Sequence, residues 1–353
     1  MMKIRKLRAR DLPQVLDLLE RFGEEPSQSG MLRRYGGAFL VSQDLSQLLP
    51  PQYQFLPAIY VAMSEEDVLG FIWLSQDGYR TDRWRIEQII IDPAADNPLE
   101  VGAHLVHFII NRYGAEGVQT FLALVDARYE QALSLLKGCG FRHSTRLHSY
   151  VLTESEPESL RALAQETFPP GCFFREAGRG DRQALQSLYM ASLPAEQRLF
   201  LQKSAEAFSR PWFRCLADRF DGTLFKRWIV QSSASREILA ALSVTTQDFQ
   251  QFHLEALIHP HWADGVAALI GLGVNHALKS TRKPYIRISA YEFQKEQRNF
   301  LDGHGFQWES VAEVLVKDYW RPIEDKPLKL ATPILLLNRG KTSPACFWPL
   351  QRD

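Results

Sequence analysis

Apolar residues recur at helical spacing behind two aspartates that lie far apart in the chain. After Asp11 they fall at Leu12, Val15, Leu16, Leu19 and Phe22, and after Asp181 at Leu185, Leu188 and Tyr189. Both patterns predict an amphipathic helix with the aspartate at its N-cap. Two strand-like runs follow each helix, at 58–62 and 68–73, then at 228–230 and 238–242. A third run, rich in Ile and Leu, ends in an X-Pro step both times: Ile89-Ile90-Ile91-Asp92-Pro93 and Ala256-Leu257-Ile258-His259-Pro260. Its unbroken apolar character predicts a buried strand. Beyond each proline the period returns to helical, through Val101, Leu105, Phe108 and Ile109, or Val266, Leu269, Ile270, Gly273 and Ala277. A further strand (120–125; 285–289), a helix closing at Gly-X-Gly-Phe and a last strand (147–152; 311–316) complete each series.

The pattern is one unit written twice. The two aspartates stand 170 positions apart, the two X-Pro prolines 167, and the two Gly-X-Gly-Phe motifs, Gly138-Cys139-Gly140-Phe141 and Gly303-His304-Gly305-Phe306, 165. Loop-length changes account for the drift. The order β-α-(irregular)-β-β-β-α-β-α-β predicts an α/β chain of the α+β type with a mixed sheet, in two tandem domains. The expected boundaries are an N-terminal domain 1–154, a linker 155–172 and a C-terminal domain 173–321. A proline-punctuated tail, 322–353, follows. A helix is expected within the linker at 156–168, closed by Pro169-Pro170-Gly171.

A length of 353 residues suits two such cores. Lysine plus arginine and aspartate plus glutamate each total 41, so the chain has no net charge to draw it to a polyanion, and no nucleic-acid partner is expected. The short basic opening around Lys3 and Arg5 alternates with apolar residues and reads as an edge strand. No apolar run reaches the roughly 20 residues that span a bilayer, so no membrane association is expected. Cys139, Cys172, Cys215 and Cys346 are scattered without metal or redox spacing, which predicts reduced thiols and a cytoplasmic protein. His104, His107, His253, His259 and His261 have no carboxylate or cysteine at ligand spacing, so no metal site is expected.

The element order, the X-Pro step and the closing Gly-Phe together resemble the GNAT superfamily of acyl-coenzyme-A-dependent N-acyltransferases. The spacing between the last two motifs is near-equal in both copies. The resemblance implies two tandem GNAT-like domains that use acetyl-CoA as co-substrate and a small-molecule or peptide amine as acceptor. It implies an oxyanion-stabilising N–H near a bulge in the strand before Pro, a carboxylate base there, and pyrophosphate at the next helix N-terminus.

Carried over position by position, the resemblance makes Glu87 and Glu255 the candidate bases. It makes Ile90, Ile91, Leu257, Ile258, Gly265, Val266, Ala267 and Ala268 the candidate coenzyme contacts. Counted back from Pro93 and Pro260, Glu87 shares a strand face with Ile89 and Ile91, and Glu255 lies on the opposite face of its own strand. The sequence departs from the family's phosphate loop. Copy one reads Pro93-Ala94-Ala95-Asp96-Asn97-Pro98, with an acid in place of a base and a proline that removes an N–H. Copy two reads Pro260-His261-Trp262-Ala263-Asp264-Gly265, where Gly265 leaves backbone room but Asp264 opposes an anion. The family's acid tyrosine is replaced by Leu136 and Leu301, and Tyr129 and Tyr291 lie earlier. Arg33, Arg34, Tyr35, Phe39, Trp212, Phe213 and Arg214 form aromatic-plus-arginine clusters after the first helix of each copy. The expectation is an N-acetyltransferase with one copy catalytic and the other structural. The alternative is a catalytically inactive GNAT-like binding or assembly module, for which a protein partner is one option.

Overall fold

Twelve strands join into one mixed sheet in the computed structural model, which describes residues 2–23, 58–77, 80, 82–152, 163–165, 167–209 and 222–319. The first series is β1 (Lys3–Lys6), α1 (Leu12–Phe22), β2 (Ala58–Ser64), β3 (Asp67–Gln76), β4 (Arg83–Ile91), α2 (Pro98–Ala115), β5 (Thr120–Asp126), α3 (Glu130–Gly138) and β6 (Arg142–Leu152). The second is β7 (Cys172–Glu176), α4 (Arg182–Ser192), α5 (Ala195–Leu201), β8 (Leu224–Ser232), β9 (Ile238–Thr246), β10 (Gln251–Ile258), α6 (Val266–Ser280), β11 (Tyr285–Tyr291), α7 (Lys295–Gly303) and β12 (Gln307–Asp318). The two series match element for element apart from α5. The linker helix and the tail expected from sequence lie largely or wholly outside the described residues.

The strand order is β1-β2-β3-β4-β5-β12-β6-β11-β10-β9-β8-β7. Each copy gives its last strand to the other: β12 pairs with β5, and β6 pairs with β11. The two exchanged strands also pair with each other, and Leu147 faces Ala312, its own counterpart 165 positions on. A pseudo-twofold axis therefore runs through that pair. Symmetry holds on both sides, since Asp126 faces Ala312 and Tyr291 faces Leu147. Exchange leaves neither β6 nor β12 as an edge inside the molecule, which fuses the copies through main-chain hydrogen bonds.

Small irregularities repeat as faithfully as the strands. Leu69 and Leu239 are the extra residues of matching bulges in β3 and β9. Their carbonyls each accept the N–H that follows the third strand, from Asp92 and His259, at 2.8 Å. Ser144 in β6 and Glu309 in β12 are likewise matching bulge residues. The two aspartates do not cap α1 and α4 as expected. Asp11 instead takes a forked ion pair from Arg5 and the Arg8 N–H, and Asp181 takes the same fork from Arg175 and the Gly178 N–H. A short 3-10 turn before each helix turns the carboxylate back toward the first strand. In α1 the buried positions are Val15, Leu18 and Leu19, while Phe22 is exposed.

Each half packs helices on both faces. In the first, α1 covers one face with Val15, Leu18, Leu19, Ile59, Phe71 and Ile90, and α2 and α3 cover the other. In the second, α4 takes the first role and α6 with α7 the second. Segment α5 reaches across the seam. Phe200 packs on Leu122 and Val316, Gln197 exchanges two hydrogen bonds with Ser144, and the buried Arg83 donates to the Phe200 carbonyl while pairing with Asp77.

Candidate functional site

A sheet opens where parallel neighbours stop pairing, and both copies open at the same point. β4 and β5 pair only from Arg83–Thr120 to Ile86–Ala123, although β4 runs on to Ile91. β10 and β11 pair only from Gln251–Tyr285 to Leu254–Ile288, although β10 runs on to Ile258. Glu87 and Glu255 are the first residues past each split.

Their faces differ from the expectation in an instructive way. Register against β3 jumps from Trp73–Gln88 to Leu74–Ile86, so Glu87 is the extra residue of a bulge in β4. The bulge resets the alternation, and Glu87 bonds Ser75 Oγ on the face of Trp73 and Ile90, away from Ile89 and Ile91. β10 pairs with β9 without a register shift, and Glu255 meets Lys203 Nζ at 3.4 Å on the α4 face. The two carboxylates thus lie on corresponding faces. One inserted residue made counting from proline misread them.

Charge links the two positions across the molecule. Lys203 holds Glu255 below the usual carboxylate range; burial opposes this and Arg227 adds to it. Tyr291, at the end of β11, is pushed up by burial and feels Lys203, Arg85 and Glu255. Arg85, ion-paired to Asp77, is acted on by Glu87 and Tyr291 in turn. Tyr291 and Glu255 come from copy two, and Arg85 and Glu87 from copy one.

Beyond the split the copies diverge. In copy one, Ile91 and Leu135 close over Gly102, where an added Cβ would overlap both side chains. The N-terminus of α2 is capped from within: Asn97 Oδ1 accepts the Glu100 N–H and Asn97 Nδ2 donates to Glu100 Oε2. In copy two the split holds a cavity of about 90 Å³. It is lined by Ser192 of α4, the β10 end at Ile258, His259 and Pro260, Ala263 and Val266 at the start of α6, Phe293 and Gln294 before α7, and Glu296 and Gln297 in its first turn. No side chain caps the 3-10 turn Ala263–Gly265 or α6 behind it.

The comparisons with known proteins bear on the fold. Residues 14–141 match the acetyltransferase (GNAT) family. A tandem GNAT protein from the clavulanic acid biosynthesis pathway, solved without AcCoA, aligns with 90% of this chain and 98% of its own. Its TM-score is 0.58 at 16% identity. The chain is a tandem GNAT-fold protein. A GCN5-related N-acetyltransferase from Sphaerobacter thermophilus aligns over 90% of this chain and 95% of its own, with a TM-score of 0.58 at 14% identity. Another from Kribbella flavida covers 90% and 72%, with a TM-score of 0.52 at 14% identity. No curated protein matches the chain.

Within the tandem GNAT fold, the remaining sequence candidates fall in different surroundings. Ile258 and Val266 line the copy-two cavity. Leu257 turns to the α4 core, Ala268 is buried, and Ala267 is half-buried. Ile90 and Ile91 pack into opposite cores of copy one. Gly265 adjoins the buried ring of Trp262, which a Cβ there would overlap, so its missing side chain makes room for indole. Tyr129 is exposed beside Arg128, whereas Tyr291 stacks on Phe293 at 5.2 Å. The arginine-aromatic clusters lie outside the described residues. No described helix is long and apolar enough to cross a membrane. Sequence reading missed Lys203 and Gln297. A signal for Gln297 was present, since α3 has Ala132 at the equivalent third position of an equally long helix.

Proposed function

We propose that the chain is an acyl-coenzyme-A-dependent N-acyltransferase in which copy two takes the thioester and copy one is structural. One observation carries this reading: the cavity at the β10–β11 split opens onto an uncapped helix start, whereas in copy one Ile91 and Leu135 crowd Gly102 and Asn97 caps the helix start. Unpaired N–H groups and the helix dipole favour the anionic diphosphate of acetyl-CoA. Ile258 and Val266 would then flank the acyl end, with Leu257, Gly265, Ala267 and Ala268 shaping the backbone behind them. Ile90 and Ile91 would keep only a packing role.

A small-molecule or peptide amine approaches from the face that bears Glu255, Lys203 and Tyr291. Its nitrogen attacks the thioester carbonyl, the ammonium proton passes to Glu255 or water held there, and the thiolate leaves. Glu255, ionised and beside Lys203, both attracts the amine and accepts its proton. Glu87 occupies the corresponding bulge of copy one. The domain boundaries 1–154 and 173–321 belong to the same proposal, with 155–172 and 322–353 outside the two units.

A second reading, a non-catalytic module that binds a protein partner, draws support from the cavity's size, below the roughly 300 Å³ common in ligand sites, and from Asp264 at the helix start. Calorimetry with acetyl-CoA separates the two. Micromolar binding abolished by Ala263→Phe, which fills the cavity, supports the enzyme; no heat at millimolar coenzyme leaves the binding module. In a thiol-release assay with an amine panel, Glu255→Gln should lower kcat at least tenfold without changing coenzyme affinity, and Glu87→Gln should not. The reverse result would move catalysis to copy one.

A further inference from the structure

The sheet ends on the first strand of each copy, β1 at one edge and β7 at the other. Pairing on one side only fixes which main-chain groups of β7 face outward. Phe173 pairs with Gln231 and Arg175 with Ile229, the Ser233 N–H donates to the Gly171 carbonyl, and the Ala177 N–H donates to the Arg227 carbonyl. The odd residues therefore bond inward to β8, and Cys172, Phe174 and Glu176 present their groups outside. The Cys172 N–H is met by the Pro169 carbonyl at 3.3 Å, and the Glu176 carbonyl by Arg175 Nη1 at 3.1 Å. Among the described residues, the N–H and C=O of Phe174, the Glu176 N–H and the Cys172 C=O have no partner. Apolar side chains frame this edge. Phe173 and Phe174 are 43% and 50% exposed, and Phe174 lies 5.5 Å from Phe168, ring centre to ring centre.

We propose that β7 is a docking edge for a second copy of this chain, which adds its own β7 antiparallel about a twofold axis through Phe174. The inference is independent of the coenzyme reading. Self-complementarity argues for this occupant. With Phe174 opposite its own copy, the two residues exchange a pair of main-chain hydrogen bonds, and each Glu176 N–H meets the Cys172 carbonyl of the other chain. Every unmet group of one edge thus finds its complement on the other. The same register sets the two Phe174 rings together and places Phe173 opposite Arg175 of the second copy, an aromatic-cation pair. Edge β1 carries different side chains in the same frame. Lys3 stands where copy two has Phe173, and Lys6 where it has Glu176. There the equivalent register would set Lys3 opposite Arg5, like charge on like, which guards the edge.

Sedimentation of the full chain between about 1 and 200 µM should show a reversible dimer. Hydrogen exchange at the Phe174 and Glu176 amides should slow at least about tenfold from the dilute to the concentrated sample. Phe174→Pro removes the central donor and the ring, and a proline suits an edge residue whose N–H bonds nothing in its own chain. This variant should stay monomeric over the same range. Phe173→Lys combined with Glu176→Lys, which installs the copy-one side chains, should weaken the dimer at least about tenfold. Ile4→Pro, at the opposite edge, should leave it unchanged. Thermal unfolding identifies misfolded variants, and the exchange measurement needs none of them. A chain that is monomeric throughout, or a dimer that survives Phe174→Pro or is lost in a folded Ile4→Pro, overturns the inference. So does Phe174 protection that is equal at both concentrations, the result expected if another segment of the same chain covers β7.

Discussion

Copy one and copy two share a topology down to individual bulges, yet they spent the same cleft differently. Copy one closes the split between its parallel strands with Ile91 and Leu135 over Gly102, and caps α2 with its own Asn97. Copy two leaves about 90 Å³ at the same place and an uncapped helix start. Copy one alone has the extra residue in its third strand, the bulge at Glu87. The open cleft and the bulged third strand thus sit in different copies. Strand exchange explains why such division is tolerated: with β12 completing the first half and β6 the second, neither half needs its own cleft to hold together.

The sharpest way to break the comparison is through the two glycines. Trp262 is buried against the copy-two core and covers Gly265. Trp262→Ala should cost about 3–5 kcal/mol, from lost burial and an unfilled cavity. Gly265→Ala should cost about 2–3 kcal/mol by forcing the ring aside, and under about 1 kcal/mol when Trp262 is already alanine. Gly102→Ala meets only the ends of flexible Ile91 and Leu135 side chains, and should cost about 1–2 kcal/mol. Urea unfolding of the four variants measures all of this. Additive costs at Gly265 and Trp262 would show that the glycine serves something other than the indole.

Next in size are the forked ion pairs. Burial pushes Asp11 up, but hydrogen bonds from Arg5 and the Arg8 N–H outweigh it and hold its carboxyl below the usual range. In Asp181 the Arg175 hydrogen bond leads and burial opposes it. Both folded values are depressed, so the stability they add is present above the unfolded value near pH 3.9 and is lost as pH falls through the folded values. Asp11 is 3% exposed and Asp181 15%. Asp11→Asn should therefore cost more, about 2 kcal/mol against about 1 for Asp181→Asn at pH 7. Each variant should also lose less stability than the parent between pH 5 and pH 2. Equal costs would deny that the fork in copy one is the deeper one.

Most of the fold was legible because the signals are periodic and occur twice: helical spacing after Asp11 and Asp181, apolar runs before Pro93 and Pro260, and Gly-X-Gly-Phe. The strand exchange was not. It depends on which partner β6 and β12 meet, and their alternating residues suit either one. The carboxylates were found but set on the wrong faces, because a bulge at Glu87 leaves no mark on composition. Gly265 suggested phosphate from its neighbours in sequence, whereas its neighbour in space is an indole. The helix caps failed for a related reason. An aspartate six residues after an arginine can fork to it or cap the helix, and only the 3-10 turn decides.

The smallest expected effects bear most directly on the division of labour. Asp264 is exposed at the start of α6, where it favours the helix dipole but repels a second anion. Asp264→Asn should cost the fold a few tenths of a kcal/mol and tighten acetyl-CoA about two- to fivefold at low salt. Raising salt to half-molar should erase most of that gain, since a screened exposed charge acts over only a few ångströms. Asn97→Ala is the matching change in copy one. Loss of that cap should cost about 1 kcal/mol of stability and leave acetyl-CoA affinity unchanged, because the helix start it uncovers faces a filled cleft. Calorimetric titration of both variants at two salt concentrations reads the contrast. Tightening by Asn97→Ala, with no response to Asp264→Asn, would place the anion in copy one and reverse the assignment of the two halves.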